Sequence, residues 1–173
     1  MNNNSNLVVL FDSPSDFDDL DEMISKNKPK IISFDYDTHK ILNDKKINHE
    51  VSDSYLSRED LRTIQKTAYS VSEWFSADIV SKYIYYKKVN LGSLIQGELI
   101  NILVSYIKKV FELYKISIQL NDSTFVSSNK CYEIMKNFSK NIVKFKNSKM
   151  ENLEQLPLDS TKVRMKIGTK NHS

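Results

Sequence analysis

The sequence predicts an α/β domain built on a mostly parallel sheet, and three observations predict it. Short apolar runs at Leu7-Val8-Val9-Leu10-Phe11 and at Ile31-Ile32-Ser33-Phe34 read as strands covered on both faces. Each is followed by helix-start residues and then by apolar residues at helical spacing. Strand and helix then alternate along the chain, which is the order that joins parallel strands through crossover helices.

In chain order, residues 7–11 predict the first strand. Ser13-Pro14-Ser15-Asp16 supplies a helix start, with Ser13 able to cap, Pro14 at the first helical position and Asp16 at the capping-box acid position. Phe17, Leu20, Met23 and Ile24 then follow at helical spacing, with Asp18, Asp19, Asp21 and Glu22 favoured near the positive helix end. Residues 30–34 predict the second strand, and Asp37 or Thr38 caps a short helix running to Lys46. His49-Glu50-Val51 predicts a short third strand. Ser57-Arg58-Glu59-Asp60 is a further capping signature, opening a helix with Leu61, Ile64, Ala68, Val71 and Phe75 on one side and Trp74 widening that face. The Tyr83-Ile84-Tyr85-Tyr86 cluster closes a second helical piece near Lys87-Lys88.

Residues 91–115 predict a long helix, with Leu91, Ile95, Leu99, Ile102, Tyr106, Val110 and Leu113 on a broad apolar face that suits packing on a sheet. Asn101, Ser105, Lys108, Glu112 and Lys115 fall on the other face. Ile116-Ser117-Ile118 and Thr124-Phe125-Val126 predict short strands, residues 129–141 a helix, and residues 143–145 another strand. The expected organisation is a disordered start over residues 1–6, a three-layer Rossmann-like or flavodoxin-like domain over 7–145, and a connecting loop with an edge strand at 163–169 over 146–173.

The 173 residues suit one domain with a sizeable core, and 40% hydrophobic with 27% charged residues is an ordinary globular balance. Cys131 is alone, which excludes an internal disulfide, a two-cysteine redox motif and a cysteine-based zinc site. The polar, uncharged start Met1-Asn2-Asn3-Asn4-Ser5-Asn6 is unlike a secretory signal, and no apolar run approaches the ~20 residues of a membrane span. A soluble cytoplasmic protein is expected, with peripheral membrane association through a partner. The net charge of +3 conceals an asymmetry: residues 1–60 carry 13 acidic and 7 basic groups, net −6, and residues 61–173 carry 9 acidic and 18 basic groups, net +9. The lysines are dispersed and Arg58, Arg62 and Arg164 are the only arginines, so no nucleic-acid partner is expected.

The chemistry-bearing residues cluster where strands should end. Asp35-Tyr36-Asp37-Thr38-His39 sets two carboxylates, a phenol, a hydroxyl and an imidazole between the second strand and its helix. Ligands of open α/β sheets bind outside the carboxyl ends of the strands. Asp35, Asp37 and His39 are therefore the catalytic candidates. Tyr36 and Thr38, with Asp12, Ser13 and Ser15 after the first strand and Ser127, Ser128 and Asn129 after a later one, are the substrate-binding candidates. The plainer role for most of these is helix capping and turn formation. No histidine spacing suggests a metal site. The first strand–helix connection lacks the glycines of a dinucleotide fingerprint or a Walker loop.

The Asp35-Tyr36-Asp37-Thr38 spacing resembles that of haloacid-dehalogenase phosphohydrolases, which would imply a nucleophilic Asp35, an acid/base Asp37 and Mg²⁺. Their later paired-acid motif has no counterpart beyond residue 60. A broader resemblance rests on residues 31–40, on Asp53-Ser54-Tyr55-Leu56-Ser57-Arg58-Glu59-Asp60, on Ser72-Glu73-Trp74-Phe75 and on Asn90-Leu91-Gly92-Ser93-Leu94. Together these resemble the N-terminal region of microbial surface-carbohydrate biosynthesis glycosyltransferases with two Rossmann domains, over about residues 7–130. That resemblance implies an acceptor-side domain, inactive alone. It implies no cofactor in this chain, a nucleotide sugar held by a C-terminal domain or partner subunit, and a sugar or lipid-linked acceptor. A third possibility is a non-catalytic interaction domain using the sheet edge or the Tyr83–Tyr86 region.

Overall fold

The computed structural model describes residues 6–146. The expected edge strand at 163–169 lies outside them. The elements in chain order are β1 (Leu7–Phe11), α1 (Phe17–Asn27), β2 (Lys30–Ser33), α2 (Tyr36–Asp44), β3 (Glu50–Val51), α3 (Arg58–Ser72), α4 (Asp78–Ser81), β4 (Tyr85–Tyr86), β5 (Val89–Asn90), α5 (Leu91–Gln119), β6 (Thr124–Ser127), α6 (Asn129–Met135) and β7 (Ile142–Lys144). Five strands form one parallel sheet in the order β3-β2-β1-β6-β7, and β4 pairs with β5 as a separate antiparallel hairpin. The chain is thus an α/β domain of the Rossmann-like three-layer kind.

β1 lies at the centre because every side chain from Val8 to Phe11 is buried, so it needs cover on both faces. Alternation along the strand splits the core in two. Val8 and Leu10 join Ile32, Leu113, Ile116, Phe125, Cys131 and Met135 on one face. Val9 and Phe11 join Leu20, Ile31, Leu42, Val126 and Phe145 on the other. α5 and α6 therefore cover one side of the sheet, and α1 and α2 the other. Asn6, expected in the disordered start, pairs instead: its carbonyl accepts from the Thr124 N–H at 3.1 Å, extending the β1–β6 pairing by one residue.

Several local expectations are corrected. α5 runs on to Gln119 and takes in Ile116-Ser117-Ile118, which the sequence reading gave to a strand. Leu113, Ile116 and Ser117 are buried while Ile118 is exposed, a helical rather than an alternating pattern. α6 stops at Met135, so the expected helix to 141 is about half as long, and Ile142 opens β7 instead. α3 ends at Ser72, and Phe75 sits in a separate 3-10 turn, Trp74–Ser76. Tyr85 and Tyr86 are strand, not helix, and turn through Lys87-Lys88 with both φ values positive, 46° and 71°. That is the sign pattern of a type I′ hairpin turn, which non-glycine residues adopt only under strain.

The broad apolar face of α5 is expected to pack on the sheet along its length. Only its C-terminal part does so. Its buried residues are Gly92, Glu112, Leu113, Ile116 and Ser117, whereas Leu91, Leu94, Ile95, Ile102 and Tyr106 are exposed. A helix of 29 residues is about 44 Å long, more than twice the span of a four- or five-residue strand, so α5 outruns the sheet. Gly92 is buried because it meets Phe75: a Cβ there would stand 2.3 Å from the Phe75 Cβ. Gly92→Ala should therefore force the 74–76 turn away from α5 and cost about 1–3 kcal/mol, read as a shifted urea midpoint. An unchanged midpoint would mean that this contact holds nothing together.

Candidate functional site

The strand order reverses direction beside β1: the chain moves from β1 outward to β2 and β3, then returns to the other side of β1 as β6 and β7. The carboxyl ends of β1 and β6 therefore flank a topological switch point, where helices leave on opposite faces and open a crevice. Asp12 follows β1 and Ser128 follows β6, and both are buried. The Ser128 hydroxyl donates a short hydrogen bond to Asp12 Oδ1. Lys109 reaches in from α5 and places its Nζ 3.2 Å from Asp12 Oδ2. The Asp12 side chain has no exposed surface, whereas that of Lys109 is 27% exposed. The carboxylate thus lies beneath the ammonium and holds it at the surface of the crevice.

Burial works against the Lys109 charge, but the acidic groups around it, Asp12 among them, outweigh it and hold its pKa above the ordinary lysine value. The Cys131 thiol is pushed well up, by burial first and then by the Asp12 charge, so it remains a neutral, packed side chain. The Asp12 carboxylate is therefore the group that offsets the lysine. The Phe34 ring lies 5.6 Å from the Lys109 Nζ, within cation–π range. The exposed Asp35 also contributes to the field on Lys109.

Asp35 is the N-cap of α2, in keeping with the capping role expected for this stretch, and the helix start is at Asp35 rather than at Asp37 or Thr38. Its Oδ1 accepts from the Thr38 N–H at 2.8 Å and from the Thr38 hydroxyl at 2.9 Å, and a reciprocal contact completes a capping box. Thr38 is fully buried by this role. Asp35→Ala should cost about 1 kcal/mol of stability through the lost cap. No change in the denaturation midpoint would refute that role. Tyr36 and Asp37 are exposed on the first turn of α2.

His39 is directed elsewhere. It lies within α2, not on the loop, and its Nδ1 stands 2.8 Å from His49 Nε2 while its Nε2 stands 2.8 Å from Asn43 Nδ2. His49 Nδ1 faces the Ile47 carbonyl at 2.8 Å. A carbonyl only accepts, so His49 Nδ1 donates, His49 Nε2 accepts, His39 Nδ1 donates and His39 Nε2 accepts from Asn43. Two neutral imidazoles satisfy the whole chain, and both nitrogens of His39 are engaged by protein partners. Ser13 and Ser15 share a hydrogen bond of 2.8 Å between hydroxyls, and Ser13 makes no side-chain cap bond. Ser127 is buried, donating to the Ser128 carbonyl at 3.1 Å, and Asn129 opens α6. The geometry therefore joins Lys109 and Ser128 through Asp12, with Asp35 acting on the Lys109 charge, and leaves His39, Ser13, Ser15 and Ser127 in local bonds.

A second polar cluster stands nearby on α5. Glu112, expected on the solvent face, is buried at 2% exposure. It accepts from the Ser52 hydroxyl at 3.0 Å and stands 3.6 Å from Lys108 Nζ, which also meets Asp53 at 2.5 Å. Burial pushes the Glu112 carboxyl up to about 7, with Lys108 opposing. Burial lowers the Lys108 pKa, but Asp53 and Glu112 together raise it above the ordinary value.

Lys109 and Glu112 are the residues the sequence reading missed. The signal for Lys109 was present: at 100° per residue it falls within about 60° of Leu91, Ile95, Ile102 and Tyr106, a lone cation on an apolar stripe. Among the described residues no group of three or more histidine, cysteine, aspartate or glutamate side chains is arranged to hold a metal ion, and no helix is long and apolar enough to cross a membrane. Comparison with known proteins finds no matching family model, no matching curated protein and no matching solved structure.

Proposed function

We propose that this chain is the acceptor-side domain of a glycosyltransferase of surface-carbohydrate biosynthesis, with the carboxyl edge of its sheet holding a hydroxyl-rich acceptor. The observation that carries this proposal is the Asp12–Lys109–Ser128 cluster at the switch point. A polyol is held by donors and acceptors fixed in place before it arrives. Lys109 has three N–H donors, spends one on Asp12 and is partly exposed, so donors remain for a ligand. The exposed Asp35 carboxylate acts on the Lys109 charge, and the half-buried Phe34 ring lies beneath the Lys109 ammonium. In this proposal Lys109 orients the acceptor, Asp12 and Ser128 position Lys109, and Asp35 takes the proton from the attacking hydroxyl.

The donor belongs to a C-terminal domain or partner subunit. The first strand–helix connection, Asp12-Ser13-Pro14-Ser15, has no glycine to admit a diphosphate against the backbone. The phosphohydrolase alternative lacks its second element, since no paired-acid motif follows residue 60. The test is a pair of assays on the purified 173-residue chain. Methyl hexosides should bind weakly and lose affinity at least tenfold in Lys109→Met, while UDP-glucose and GDP-mannose are neither retained nor turned over. Hexosyl transfer by this chain alone, with the donor bound to it, would overturn the division of labour.

A further inference from the structure

Among the described residues, exposed large apolar side chains are concentrated in one excursion, from α3 to the middle of α5. Leu91, Ile95, Ile102 and Tyr106 form a stripe along α5, and Ile79, Tyr83, Tyr85 and Tyr86 crown its tip, with Ile79 and Tyr83 each more than 80% exposed. Taking ~150–250 Å² for a large side chain, stripe and tip leave on the order of 1,000 Å² of apolar surface uncovered. That exceeds the ~300–600 Å² patch of an ordinary monomer and matches the ~800 Å² that each partner of a standard interface buries.

The direction of this surface identifies its occupant. Lys109 lies on the same stripe and reaches Asp12 at the sheet's carboxyl edge. The stripe is therefore the sheet-facing side of α5, continued about 27 Å beyond the sheet between residues 109 and 91. Near its middle stands the exposed Glu98, within about 40° of Leu91 and Ile102 on the helical wheel. Its two ends carry opposite charges. The tip presents Lys87 and Lys88 in a strained two-residue turn, and the carboxyl edge presents the exposed Asp35 and Asp37.

We infer that a second copy of this chain occupies the stripe. The two α5 helices pack antiparallel about a twofold axis near residue 100, so each stripe covers the other. A surface oppositely charged at its two ends is self-complementary under such an axis. Leu91 of each copy then approaches the other's Lys109, and the Lys87-Lys88 turn of each copy caps the other's carboxyl edge at Asp35 and Asp37. The candidate site is completed by the second copy. This holds whatever that edge binds.

Sedimentation velocity on the full chain, with and without vesicles of phosphatidylglycerol, tests the inference. A species of twice the chain mass is expected without lipid at micromolar concentration. Ile102→Glu should weaken it at least tenfold. Replacing Lys87-Lys88 by Asn-Gly relaxes the turn and so preserves folding, but should also weaken the dimer. Lys87→Asp with Lys88→Asp should do so more strongly, and adding Asp37→Lys to that variant should restore association. Because Cys131 is buried, an Ile102→Cys variant should oxidise to a single cross-linked dimer. A monomer at 100 µM, a monomer that binds the vesicles through the tip, or a dimer indifferent to residues 87, 88 and 102 would each overturn the inference.

Discussion

Asp12→Ala should lose about 3–5 kcal/mol of folding stability, the cost of leaving a mostly buried ammonium without its counter-charge. Two groups are stranded at once, because Ser128 donates to one Asp12 oxygen and Lys109 to the other. Removing the stranded charge should reverse much of the loss. Asp12→Ala combined with Lys109→Met exchanges a broken pair for an apolar contact beside Phe34 and Cys131, and such replacements are often neutral. Lys109→Met alone should be intermediate, since Asp12 keeps the Ser128 hydrogen bond. Urea denaturation of the four proteins closes a double-mutant cycle. Additive effects would mean that Asp12 and Lys109 do not act as a pair, and the cluster would then be two separate capping contacts.

Glu112 gives the second large effect, and its sign is opposite to that of an ordinary carboxylate. Its pKa rises from 4.5 to about 7 on folding, so between those values the folded state binds more protons than the unfolded one. Stability must then fall as pH rises through that window. The full contribution is on the order of 3 kcal/mol, absent below pH 4.5 and complete above pH 7. Glu112→Gln keeps an oxygen for the Ser52 hydroxyl and removes the charge. The variant should match the parent near pH 4.5 and become progressively more stable than it by pH 8. Parallel stability curves across that range would show that Lys108 and Ser52 already offset the burial of the charge. At the acid end the slope turns over. The Ser57 and Lys115 hydrogen bonds hold Asp60 at about 2, so stability present above its ordinary value of 3.8 is lost as pH falls toward 2.

Much of the sheet was legible in the sequence because its strands are simple objects. Leu7–Phe11 and residues 31–33 are apolar on both faces, which only a central parallel strand requires, and the capping residues at Ser57 and Asp60 form the box their spacing implies. The errors fell where one pattern serves two structures. Ile116-Ser117-Ile118 alternates like a strand but continues a helix already 25 residues long. The tyrosines at 83–86 look helical until the positive φ values at Lys87 and Lys88 close a hairpin.

The candidate site was half legible. Asp12, Asp35 and Ser128 stand at strand ends, which topology alone brings together. Lys109 lies 97 residues from Asp12 in the chain, and only the packing of α5 on the sheet carries it there. Conversely, His39 looked like a base because it neighbours Asp35 in sequence, yet helical geometry turns its ring toward His49. Proximity along the chain says little about direction once a helix has begun.

The most direct test of a ligand site at the switch point is a ¹H–¹⁵N correlation spectrum of the chain titrated with a panel of methyl hexosides. Shifts should gather at Asp12, Ser13, Phe34, Asp35, Lys109 and Ser128, and vanish in Lys109→Met while that protein stays folded. Shifts confined to the amino ends of the strands, or an identical response in Lys109→Met, would contradict the account.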